Sequence, residues 1–184
     1  MEGVCQFGWC AGDCGAVTNK QLFNAIAQAY ALNPAVAKLP LTGLQQIALQ
    51  EVCETEAYQD SLGNWTIGIG HLGAYAGQIW TVSQCVSQFF IDVKSIGVDP
   101  VNRNLSWALA DMGTVRWWVF VNMAFNMGIF NLLQFNETLT AAEHLDWEGV
   151  AQGMENSLWY TQVGQRGIEL CQQMRTNQWV LPAL

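Results

Sequence analysis

The chain has 184 residues, 51% of them hydrophobic and nine of them Trp, which suits one domain with a sizeable core and excludes a disordered chain. Fifteen acidic residues against seven basic ones leave a net charge of −8, which disfavours nucleic acid as a partner. The most apolar run, residues 117–133, is broken by Asn122, Asn126, Gly128 and Asn131, so it reads as a buried central helix and not as a membrane span.

Residues 1–17 are rich in Gly and Cys and read as irregular, without the basic and apolar blocks of a signal peptide. Cys5, Cys10 and Cys14 cluster there, apart from Cys53, Cys85 and Cys171. Their spacing, with no histidine beside it, is a poor zinc pattern, so no metal site is expected; free thiols suit a chain made in a reducing cytoplasm, and a disulfide within the cluster is the alternative for a protein acting outside it. Thr18 is placed to cap a helix predicted over 19–32, with Leu22, Ile26 and Tyr30 on one face and Asn33-Pro34 as its stop. That face either packs on the rest of the chain or docks on a partner. A second helix is predicted over 42–53. Leu44, Ile47, Ala48 and Glu51 fall at i, i+3, i+4 and i+7, which puts Glu51 on an apolar stripe. A carboxyl group in such surroundings tends to hold its proton.

Eight residues separate Glu51 from Asp60, and five separate Asp60 from Thr66. Asp60 stands in a turn with Ser61, Gly63 and Asn64, where it should be solvated and ionised. Two carboxyl groups in opposite environments suit an acid and a base. Trp65, Ile67 and Ile69 alternate with Thr66, Gly68 and Gly70, the pattern of a strand, and Tyr58 lies on the strand entering the same hairpin. Thr81 then caps a helix predicted through Gly97, carried by Val82, Cys85, Val86, Phe89, Phe90, Val93 and Ile96. Asp99-Pro100, Gly113, Gly128, Asn136 and Asp146 punctuate helices predicted over 101–112, 114–128, 137–144, 147–155 and 163–175.

Three groups of these residues resemble the phage lysozyme family, the muramidase endolysins of T-even and lambdoid phages. The first is Glu51, Asp60 and Thr66 at this spacing, with Thr66-Ile67-Gly68-Ile69-Gly70-His71. The second is Asn122-Met123-Ala124-Phe125-Asn126-Met127-Gly128. The third runs from Ser157-Leu158-Trp159-Tyr160 to Arg166 and closes with Arg175 and Trp179. The resemblance spans about residues 41–179. It implies an α+β, mostly α, two-lobed lysozyme fold. A hairpin lobe over about 54–80 would be joined by a helix over about 81–97 to a helical lobe over about 98–179, which also takes in helix 42–53. Residues 1–40 would form an extension outside the family pattern.

The resemblance also implies roles. Glu51 would be the general acid, Asp60 would activate a water, and Thr66 would help to hold that water. The reaction would invert the anomeric carbon, with the carboxyl groups about 6.5–9.5 Å apart. Arg166 would pair with Glu51, and His71 with Asp92 would tie the hairpin to the interlobe helix. Leu72, Phe125 and Thr138 match positions that contact sugar. Asn122 and Asn126, one turn apart on the central helix, either line the cleft floor or bond neighbouring backbone. Gly153 replaces a side chain that can contact sugar. No cofactor is implied, and the partner is bacterial peptidoglycan. The setting is an endolysin made in the host cytoplasm that reaches the wall after holin-dependent release. Two alternatives stand beside it: a virion-associated lysozyme held to virion proteins through residues 1–40, and a non-catalytic assembly or binding protein with the lysozyme fold. A charge of −8 gives no long-range attraction to an anionic wall, which favours a tethered enzyme.

Overall fold

The computed structural model describes residues 17–60, 62–105 and 109–184, so the cluster of Cys5, Cys10 and Cys14 lies outside the described residues. Helix α1 (Asn19–Leu32) begins at a capping box, in which the Thr18 hydroxyl accepts from Gln21 N at 3.3 Å and the Gln21 side chain accepts from Thr18 N at 2.9 Å. Leu22 and Ile26, 1% and 0% exposed, share one core with helix α2 (Leu41–Glu51) and with helix α3 (Val82–Asp92). The apolar face of α1 is therefore occupied by this chain's own helices. The C-terminal tail closes over the same region, where Val180 O accepts from Gln46 and Ala183 O from Asn19.

Helix α2 ends at Glu51, two residues before the predicted stop. Val52 takes φ 63 and ψ 162, which no helix can contain. Strands β1 (Glu54–Gln59), β2 (Trp65–Gly68) and β3 (His71–Leu72) follow as an antiparallel sheet in that order. Thr66 in the middle strand is paired with Tyr58 on one side and Leu72 on the other. Ile67 and Ile69 are buried, and β2 packs on α3. The architecture is thus mostly helical with one small sheet, as the sequence led us to expect.

Beyond the sheet two predicted breaks do not occur. The backbone of α3 passes through a π-helical segment (Val93–Val98) directly into α4 (Asp99–Asn104). Pro100 sits in the first turn of α4, directly after the π segment. Gly97 in the π segment meets helix α5 (Leu109–Met127) closely, since a Cβ there would lie 3.1 Å from Val121 O. Helix α5 also runs straight across Gly113, because one interior Gly costs only about 1 kcal/mol. Residues 118–124 of α5 are all buried, and this helix is the axis of the core. Helices α6 (Ile129–Leu132), α7 (Asn136–Glu143), α8 (Trp147–Glu155), α9 (Leu158–Val163) and α10 (Gln165–Thr176) pack around it, and α6 and α9 were not anticipated. Among the described residues no helix is long and apolar enough to cross a membrane.

Candidate active site

Glu51 is the last residue of α2, at the open end of the stripe formed by Leu44, Ile47 and Ala48, each 0% exposed. Its side chain keeps 20% of its surface and is not sunk among apolar groups. Arg166 of α10, 8% exposed, donates from Nη2 to Glu51 Oε1 at 2.5 Å. On the other side Gly70, at φ 70 between β2 and β3, comes so close that a Cβ would lie 3.2 Å from Glu51 Oε2. The carboxyl group is held between a helix and a sheet turn.

Behind this pair lies a row of polar groups in which sequence reasoning singled out Asn122 but neither the half-buried Gln50 nor the buried Glu169. Gln50 Oε1 accepts from Arg166 Nε at 3.0 Å and from Asn122 Nδ2 at 2.8 Å. Gln50 Nε2 donates to Glu169 Oε2 at 2.9 Å. The available signal was that Glu169 stands one helical turn after Arg166, and so shares its face.

Asp60 closes the β1–β2 hairpin. Its Oδ1 accepts from Leu62 N at 2.9 Å and Asn64 N at 2.8 Å, and its Oδ2 from the Asn64 amide at 3.1 Å. Those hydrogen bonds, the Asn64 backbone first, hold its carboxyl below the usual 3.8. The group is therefore ionised, as its turn position suggested. Thr66, 4% exposed, donates from its hydroxyl to Asn64 O at 3.4 Å. Partial burial, then the fields of Glu54, Glu51 and Asp60, push the Tyr58 phenol up from the usual 10.0.

His71 Nδ1 lies 2.8 Å from Asp92 Oδ2, bridging β3 and α3, and Gln88 donates to the other Asp92 oxygen at 2.9 Å. Leu72 is 60% exposed and borders a hollow of about 400 Å³ with Gly63, Asn64, Trp65, Gly73 and Ala74. Phe125 is partly buried edge-on against Phe89, and the Asn126 side chain accepts from the Trp159 indole at 2.9 Å. Asn122 and Thr138, assigned to sugar contact by the resemblance, are buried at 0% and 2% exposure. Asn122 donates from Nδ2 to the Gln50 amide while its Oδ1 is buried without a hydrogen-bond partner among the described residues, and Thr138 lies beneath Gly153, whose missing side chain makes room for it. Among the described residues no group of three or more His, Cys, Asp or Glu could hold a metal ion.

Comparison with known proteins shows the family. Residues 48–175 match the model of the Phage lysozyme family. The chain is 28% identical to Probable T4-type lysozyme 1 of Dictyostelium discoideum, over 60% of this chain and 80% of that protein. It is 29% identical to Probable T4-type lysozyme 2 of the same organism over the same shares. It is also 32% identical to Peptidoglycan hydrolase gp36 of Pseudomonas phage phiKMV, over 66% of this chain but only 14% of that much longer protein.

Proposed function

Because this chain belongs to the phage lysozyme family, we propose that it is a peptidoglycan hydrolase, a muramidase that cuts the β-1,4 bond between N-acetylmuramic acid and N-acetylglucosamine. The observation that carries the reading is the Glu51–Arg166 pair, set beside a hairpin whose Asp60 is held ionised. In this mechanism Glu51 gives its proton to the glycosidic oxygen as the bond to C1 breaks. Asp60 takes a proton from a water that attacks C1 from the opposite face, with the Thr66 hydroxyl holding that water, and the configuration at C1 inverts. Exchange with solvent then returns the proton to Glu51 and removes it from Asp60. Leu72, Phe125 and Asn126 are the residues assigned to sugar contact, and His71 with Asp92 keeps the hairpin in place. No cofactor enters the scheme.

The biological role proposed is that of a phage endolysin, reaching the host wall after holin-dependent release. The burial of Leu22 and Ile26 supports this over a virion tether, since the face that such a tether would use is already covered. Clearing of purified cell walls tests the chemistry. Glu51→Gln should fold normally and lose roughly 10²–10⁴-fold in clearing rate, because the leaving oxygen then departs unprotonated. A folded Glu51→Gln protein that still clears walls at the wild-type rate overturns the assignment of Glu51 as the acid, whereas a wild type that clears none leaves a fold used for binding.

A further inference from the structure

The row of polar groups behind Glu51 has a direction. Arg166 Nε and Asn122 Nδ2 meet one end of the Gln50 amide, and Glu169 Oε2 meets the other. A guanidinium only donates hydrogen bonds and a carboxylate only accepts them. An amide placed between them is satisfied one way round. Turned over, its NH2 would face two donors and its oxygen would face a carboxylate, leaving buried groups unpaired at about 1–3 kcal/mol each. Glu169 is 5% exposed, and Gln165 donates to its second oxygen at 3.3 Å, so its own orientation is set as well.

We infer that Glu169 is a positioning residue: by accepting from Gln50 it fixes the sense of that amide, and the amide oxygen in turn anchors Arg166 against Glu51. Arg166 is gripped at two points, Nε on Gln50 and Nη2 on Glu51. Two points define where a planar guanidinium lies, and one leaves it free to swing. Glu169 touches no reacting atom and acts through Gln50 and Arg166. The inference rests on Glu51 being the acid, since only then does the placement of Arg166 govern rate.

Four variants and soluble glycan strands from purified wall test it. Glu169→Gln still offers an oxygen to Gln50 and should keep wild-type kinetics within about threefold, as expected when geometry is preserved. Glu169→Leu removes the acceptor without adding charge, and should lower kcat by about tenfold or more with KM nearly unchanged, the mark of a misplaced reacting group. Glu169→Lys should be worse, and Gln50→Glu in the same chain should restore activity, because a carboxylate at position 50 accepts from both sides. The Nε–H signal of Arg166, followed by NMR without substrate, should move in Glu169→Leu and stay in Glu169→Gln. A folded Glu169→Leu protein with wild-type kcat and an unmoved Arg166 signal overturns the inference. So does an equal fall in Glu169→Gln and Glu169→Leu, which would mark a need for charge and not for an acceptor. If the wild type leaves the strands uncut, the muramidase reading itself fails, while the NMR comparison still decides whether Glu169 orders Arg166.

Discussion

Gly70 shows how much the site depends on a residue without a side chain. It holds φ 70 and stands where a single added carbon would press on the Glu51 carboxyl. Gly70→Ala combines backbone strain with a displacement of the acid, and an error of about 1 Å in a reacting group can cost 10²-fold. The expected result is a loss of wall-clearing rate of at least about tenfold with the thermal midpoint lowered only slightly; an unchanged rate would show that Glu51 is not confined by this turn. At this scale the sequence was partly legible. Asp60 was readable as an ionised turn residue because Gly63 and Asn64 beside it announce a turn. Glu51 was readable as a residue at a helix face, but its partner lies 115 positions away and came only through family resemblance. Gln50 and Glu169 were not readable, because a half-buried amide and a buried acid gain meaning only from tertiary neighbours. The depth at which Thr138 sits was not readable either: periodicity says which face a residue is on, and not whether another helix covers it.

Among the elements, the end of α2 carries the clearest departure from local preference. Val52 occupies φ 63 and ψ 162, a region that belongs almost wholly to glycine, and it does so next to the proposed acid. The strain places Glu51 at the helix terminus, facing the sheet. Replacing Val52 with Gly should relieve about 1–3 kcal/mol of strain against about 0.5–1 kcal/mol of added chain entropy. Denaturant unfolding of Val52→Gly should therefore show a gain of about 1 kcal/mol. A loss instead would mean that the half-exposed Val52 side chain contributes more than its backbone costs. The missing glycine also explains why the helix end was misplaced from sequence: nothing at 52 or 53 signals a stop. Conversely, Asp99-Pro100 and Gly113 signal stops that the helices run through. Thr18 and Thr81 were read correctly because a capping box is local in sequence.

For the molecule as a whole, α1 belongs to the core and not to an appendage. Leu22 and Ile26 together bury side chains worth about 3–6 kcal/mol, a large share of a domain's usual 5–15 kcal/mol. A chain lacking residues 1–38 should lose that much in urea unfolding, or fail to stay folded. Unfolding at the wild-type midpoint would instead make the segment dispensable to the enzyme and free for another use. The fold class was legible in full, because three separated motifs and the helical periods agreed, whereas the place of α1 was left open between self-packing and docking. The central claim, that this molecule cleaves a glycosidic bond by acid and base carboxyl groups on either side of a water, is tested most directly by its product. Purified peptidoglycan should be digested and followed by proton NMR in the first moments of reaction. The account predicts new reducing ends on N-acetylmuramic acid, appearing first as the α anomer from a β bond. New ends on N-acetylglucosamine, an anhydro sugar, an initial β anomer, or no new reducing end at all would contradict it.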